Sequence, residues 1–274
     1  MIVQRNLASY KIFVNYESAL QAQSSAMGKI ASGLRVNSAK DDPYAVAQDN
    51  TFNMQIKALQ RTNENAQDDI SLVQTSSSGL NNITNMLQRI QQLAVQAGNS
   101  TNTSSDISDM QSEVSTLVNG IDSIAKNTNI NDVHLLDGSQ TGALQSQIGA
   151  NNNETVSIPT YDFTANGLGL NSINLTAAGG PSATINAINT ALVSIRTANS
   201  NYGSIENRLN TSISNNTALN TDEQTGDSNV MDADVASEMM EYSKQSILVQ
   251  AGIAMMSQTN NFPQQVLNIL SKVK

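Results

Sequence analysis

The sequence predicts a mainly α protein: a long antiparallel helical hairpin, or coiled-coil rod, with a small β-hairpin region. Three observations carry this. Near the start, Phe13, Tyr16, Leu20, Met27, Ile30 and Leu34 recur in alternating steps of three and four, interrupted only by Gln23. Near the end, Val235, Met239, Tyr242, Val249, Ile253 and Met256 do the same around Ser246. Such spacing marks a coiled-coil seam, not an isolated surface helix. Third, aromatic residues are only 4% of the chain, Trp is absent and charged residues are 14%. That supply suits thin helical layers better than a thick globular core. Chain ends ordinarily fray unless something ties them down. Two adhesive terminal helices are therefore expected to bury each other or to meet neighbouring copies. Six large apolar side chains give on the order of 10 kcal/mol once a partner face exists.

The first helix is expected from about Val3 to Leu34, where Gly33 and Asn37-Ser38 loosen the pattern. The second begins near Asp42-Pro43, because Pro suits the first helical position behind an Asp cap. Its stripe reads Ile56, Leu59, Ala66, Ile70, Val73 and Leu80, with Asn63 and Ser77 as polar interruptions. It then steps early to Ile83, Leu87, Ile90, Ala94 and Ala97, which reads as a stammer. Gly98-Asn99 ends it.

The third helix is expected behind Ser105 or Asp106, with Ile107, Met110, Val114, Leu117, Ile121 and Ile124 as its stripe. Residues 144–176 change period. Gln145-Ser146-Gln147-Ile148 and Thr155-Val156-Ser157-Ile158 flank Asn151-Asn152-Asn153 and read as a hairpin with a left-handed polar turn. Gly179-Gly180-Pro181 introduces a fourth helix marked by Ile185, Ile188, Leu192, Ile195, Tyr202 and Leu209. A polar segment, 215–229, then leads into the terminal helix. Helices of 30 or more residues each reach roughly 45 Å.

The chemistry is sparse. A net charge of -9 and a pI near 4.5 leave no basic stripe for phosphates and argue against nucleic acid. Cys is absent and His134 is the only histidine, so a zinc site of the usual kind is not expected. Asp42 reads as a cap and Asp68-Asp69 as a solvated helix face. No phosphate loop or HExxH pattern occurs. No catalytic, cofactor or metal residues are assigned, and an enzyme is not expected. Met239-Met240 and Met255-Met256 read as seam packing. The first residues lack a cleavable-leader pattern, and the most apolar run, Ile247 to Met256, is broken by Gln250. Membrane insertion is not expected, and any export uses a route without a cleaved leader.

With those elements in view, the residues resemble bacterial flagellin over nearly the whole chain. Ser32-Gly33-Leu34-Arg35-Val36-Asn37-Ser38-Ala39-Lys40-Asp41-Asp42 is similar to the family's amino-terminal signature. Gln88-Arg89-Ile90-Gln91-Gln92-Leu93-Ala94-Val95-Gln96 resembles its central helix, and Ile148-Gly149-Ala150-Asn151 its β-hairpin motif. Asn207-Arg208-Leu209, Ile247-Leu248-Val249-Gln250-Ala251-Gly252 and Pro263-Gln264-Gln265-Val266-Leu267 resemble its returning helices and carboxyl end.

The resemblance implies an inner coiled coil (D0) from residues 1–42 and 232–274. It implies an adjoining helical rod (D1) whose outgoing part is 43–176, with the hairpin, and whose returning part is 177–231. Outer domains, which the family inserts near 166–182, are expected to be missing. It further implies a helical homopolymer, type III export, a chaperone at the carboxyl end, cap and hook-junction partners, and an extracellular flagellum. Positions that contact Toll-like receptor 5 in the family align with Arg89, Leu93 and Glu113, and the i, i+4 spacing of the first two suggests one helix face. Three departures stand out. Asp42-Pro43-Tyr44-Ala45-Val46 replaces a Gly-containing segment, Asn131-Asp132 stands where many relatives have Asn-Gly, and Gln92 occupies a position often acidic in receptor-active relatives. A hook–filament junction protein and a secreted adhesin or immune-modulating binding module are the alternatives at this stage.

Overall fold

The computed structural model describes residues 7–140 and 142–272. Helix α1 (Leu7–Ser32) is followed by α2 (Pro43–Ala97), α3 (Ser104–Asn127), strands β1 (Asn129–Ile130), β2 (Val133–His134), β3 (Leu144–Gln147) and β4 (Thr155–Ile158), then α4 (Gly180–Met231) and α5 (Val235–Lys272). The fold is mainly α, as the spacing predicts. The expected start of the first helix, at Val3, lies outside the described residues. Two compact units emerge: Met1–Met54 with Asp222–Lys274, and Gln55–Thr221.

The second unit holds the large core. On α2, Leu59, Thr62, Ala66, Asp69, Val73, Ser76, Leu80, Ile83, Leu87, Ile90, Ala94 and Ala97 are all buried. Their steps alternate three and four without a break, so α2 carries no stammer. The apparent short step arises because Asn63, Ile70 and Ser77 stand one position past Thr62, Asp69 and Ser76, which occupy the row. Small polar groups are tolerated there because each finds a partner. The Thr62 and Ser76 hydroxyls donate to the carbonyls of Leu59 (2.9 Å) and Leu72 (2.8 Å). Asp69 accepts the Ser146 hydroxyl from β3. Asp69 is thus not on a solvated face, and burial raises its pKa above the ordinary carboxylate range.

Helix α3 adds Met110, Val114, Ile121 and Ala125 to this core. Its cap is Thr103, not Ser105 or Asp106. The Thr103 side chain accepts from the Asp106 N–H (3.2 Å), and the Asp106 carboxylate accepts from the Thr103 N–H (2.9 Å), a complete capping box. The Thr103 N–H and the Thr103 hydroxyl, both donating to the carboxylate, lower the Asp106 pKa.

The β region contains two hairpins where the sequence reading had one. β1 and β2 pair Ile130 with Val133 and Asn129 with His134. Asn131 and Asp132 between them have φ of 51° and 64°, so Asn-Asp supplies the doubly left-handed turn that Asn-Gly usually makes. In the second hairpin β3 pairs antiparallel with β4, from Leu144 opposite Ile158 to Gln147 opposite Thr155. Its turn uses Asn153 at φ 68°. A Cβ on Gly149 would lie 2.6 Å from that of Glu154, which explains the glycine in the hairpin motif. The hairpin is tied to the long helices at backbone carbonyls: Asn216 donates to Ile148 O (2.7 Å) and Asn65 to Gln147 O (3.3 Å).

The polar segment 215–229 is helical, not a connection, and α4 runs through it to Met231. The Thr217 hydroxyl donates to Ile213 O (2.7 Å), and the Asn220 amide donates to Ile56 O (3.2 Å). Polar side chains that cap or turn elsewhere are satisfied here inside a helix, Thr217 by a carbonyl of α4 itself and Asn220 by one of α2.

Candidate assembly surface

The first unit is built from α1, α5, the start of α2 and the end of α4. Gly33, at φ 73°, closes α1 in the left-handed conformation that glycine adopts without strain. Leu34 and Asp232 then form an antiparallel bridge. The Arg35 N–H donates to Met231 O (2.7 Å), the Ala233 N–H to Gly33 O (2.9 Å), and the Arg35 guanidinium to Val230 O (2.6 Å). Asp41 accepts from the Ser38 N–H (3.1 Å), and Asp42 accepts from the N–H groups of Tyr44 and Ala45 (both 3.1 Å). Asp42-Pro43 therefore starts α2 as expected, in the same geometry as Asp234 at α5, which accepts from Ala236 N–H (3.0 Å). Val36, Ala45 and Met231 make a small buried cluster over this junction, and Leu34 packs against it.

Helices α1 and α5 lie antiparallel and close together. Ser9 donates to Asn260 (3.1 Å) toward one end, and Lys29 pairs with Glu238 (3.1 Å) toward the other. Between them, a Cβ built on Gly252 would sit 3.4 Å from the Tyr16 Cβ. The covered row of α1 is Ile12, Tyr16, Ala19, Gln23, Ala26 and Ile30; that of α5 is Glu238, Tyr242, Gln245, Val249, Gly252, Met256 and Thr259. Both rows keep the three–four alternation, but Ala19, Gln23 and Ala26 fill the middle of the α1 row, and Gln245, Gly252 and Thr259 take every second place on α5. Small side chains let the backbones approach; Leu and Met there would hold the axes apart.

The structure thus splits the twelve seam residues expected from sequence. Tyr16, Ile30, Tyr242, Val249 and Met256 lie half-buried in the α1–α5 contact, and Leu34 joins the junction cluster. Phe13, Leu20, Met27, Val235, Met239 and Ile253 are exposed. Each exposed α1 residue lies one position beyond a covered one, forming a second, outward apolar row. Tyr10, Val14, Met240, Ile247, Leu248, Met255 and Phe262 extend the exposed apolar surface of these helices. Gln23 is half-buried at the seam, while on α5 the buried polar residue is Gln245, bonded to Glu241 (2.6 Å) beside Ser246. Grooves along the pair are lined by Leu20, Met27 and Tyr242 and by Ile12, Tyr16, Leu248 and Met255.

In the second unit, Arg89 and Glu113 are exposed and paired with each other at 2.8 Å between α2 and α3. Leu93 is 2% exposed and belongs to the core. Spacing of four brings Arg89 and Leu93 near one another, but only Arg89 reaches the surface. Among the described residues no group of His, Asp or Glu side chains is arranged to hold a metal. No helix among them is long and apolar enough to cross a membrane.

Comparison with known proteins gives this arrangement its family. The bacterial flagellin N-terminal helical region matches residues 3–141, and the bacterial flagellin C-terminal helical region matches 185–270. A flagellin of Halalkalibacterium halodurans is 35% identical over 272 residues, covering 98% of this chain and 100% of the relative. A flagellin of Bacillus subtilis is 33% identical over 303 aligned positions, again covering 98% and 100%. The crystal structure of Bacillus cereus flagellin superposes with a TM-score of 0.51 at 29% identity, covering 56% of this chain and 88% of that one. Two helical regions in the right order, and relatives matched along their whole length, leave one conclusion: the chain belongs to the bacterial flagellin family.

Proposed function

We infer that this chain is a structural subunit of the bacterial flagellar filament, and that it joins the filament through the outer faces of α1 and α5. The family is structural, and the chain is not an enzyme. One observation carries the assembly reading. After α1 and α5 have closed their own small-residue seam, each still presents large apolar side chains to water. Exposed large apolar side chains concentrated on two paired helices mark an interaction face. Full-length likeness to flagellins favours a filament subunit over a junction protein or an adhesin.

The same reading assigns residues 1–42 and 232–274 to the inner coiled coil, and 43–176 and 177–231 to the helical rod. It gives the exposed face of α5 to an export chaperone before assembly, and growth at the tip to a cap, with hook-junction proteins at the base. The subunit then works outside the cell. The exposed Arg89–Glu113 pair supports recognition by Toll-like receptor 5, with Leu93 acting from beneath by holding α2 in place.

A chain lacking residues 235–274 tests the assembly reading. Seeded growth followed by electron microscopy should give no filaments, while the second unit retains its helical signal by circular dichroism. Filaments formed by the shortened chain would overturn the proposal.

A further inference from the structure

The chain has no cysteine, so methionine is its only sulfur. Among the described residues, five methionines are exposed: Met27, Met54, Met239, Met240 and Met255. Four of these five lie on α1 and α5, the helices that carry the outward apolar rows. Met110 and Met231 are buried. The distribution concentrates accessible thioethers on the two paired terminal helices.

Resting on the assembly reading above, we propose that Met27, Met239, Met240 and Met255 are modification sites at which a hydroperoxide reversibly blocks incorporation of the subunit. In the step, a thioether sulfur attacks one oxygen of hydrogen peroxide. The O–O bond breaks and an S–O bond forms. The sulfur is oxidised by two electrons to the sulfoxide, and the second peroxide oxygen leaves as water. A flexible apolar side chain becomes a polar one, which disrupts methionine-rich contacts. Met27 and Met255 line the grooves beside the α1–α5 seam, where a docking surface would meet the new S=O dipole. A sulfoxide reductase restores the thioether. Assembly also protects these sulfurs, because docking covers them, so the free subunit is the vulnerable form.

The test treats monomers and finished filaments separately with dilute hydrogen peroxide and locates the added oxygen by peptide mass spectrometry. Expected are oxidation of Met27, Met239, Met240 and Met255 in monomers, protection of the four in filaments, and little reaction at Met110 and Met231 in either. Oxidised monomers should add to seeds about tenfold more slowly, with recovery after sulfoxide reductase treatment. A Met27→Leu, Met239→Leu, Met240→Leu, Met255→Leu variant should assemble equally before and after peroxide. Equal oxidation of the four in monomers and filaments would overturn the assembly reading itself. Protection in filaments combined with unimpaired growth of oxidised monomers would overturn only the oxidation proposal. Peroxide inhibition that persists in the four-Leu variant, with native circular dichroism retained, would assign the block elsewhere and overturn it too.

Discussion

The α1–α5 pair and the Gln55–Thr221 unit both use antiparallel helices with three–four spacing, yet they place their large side chains on opposite sides. In the second unit Leu80, Ile83, Leu87 and Ile90 are fully buried, and Asn, Ser and Thr fill much of the outside. In the terminal pair Ala19, Ala26 and Gly252 sit inside, while Phe13, Leu20, Met239 and Ile253 are exposed. The first arrangement stabilises a fold. The second brings two backbones close with modest apolar burial and reserves its strongest apolar surface for something else. The same heptad grammar therefore serves intramolecular packing in one region and intermolecular packing in the other.

This contrast can be broken from the core side first. Ile90→Ala removes a side chain with no exposure from the second unit. It should cost about 2–5 kcal/mol of stability, read by denaturant unfolding. A loss under about 1 kcal/mol would mean the unit is not held by this row. Gly252→Leu addresses the close approach in the terminal pair, where even a Cβ comes to 3.4 Å from Tyr16. Overpacking there should cost about 1–3 kcal/mol. Its loss should be confined to the terminal pair and read as faster amide exchange in α1 and α5, with α2 to α4 unchanged.

The presence and order of the helices and the second hairpin were legible in the sequence, because apolar periodicity and Gly, Pro and Asn punctuation report them directly; the continuation of α4 through 215–229 was not, because its polar run hides the period. Register was half legible. In α1, α2 and α5 an apolar-only reading follows the right row at every second position and slips by one at the others. It takes Leu20 for Ala19, Ile70 for Asp69 and Ile253 for Gly252. The cause is physical: a tight pair needs small residues at the seam, and a buried Thr, Ser or Asp is acceptable once hydrogen-bonded. A signal was available in Ala19, Ala26 and Gly33, spaced by seven, and in Gln245, Gly252 and Thr259. The first hairpin was missed because its strands have two residues each, too few to show a period. Leu93 entered as a receptor contact by family resemblance, and its spacing of four from Arg89 relates neighbours without saying how far round the helix the core extends.

The most direct measurement concerns the outward row alone. A Leu20→Asn, Ile253→Asn variant keeps every residue of the α1–α5 seam and changes two exposed positions. Its thermal unfolding should stay within about 0.5 kcal/mol of the parent, as surface substitutions usually do. Seeded filament growth should fall at least to about one tenth. Growth at the parental rate by a normally folded variant would contradict the account, because the exposed rows would then not be the surface through which subunits join.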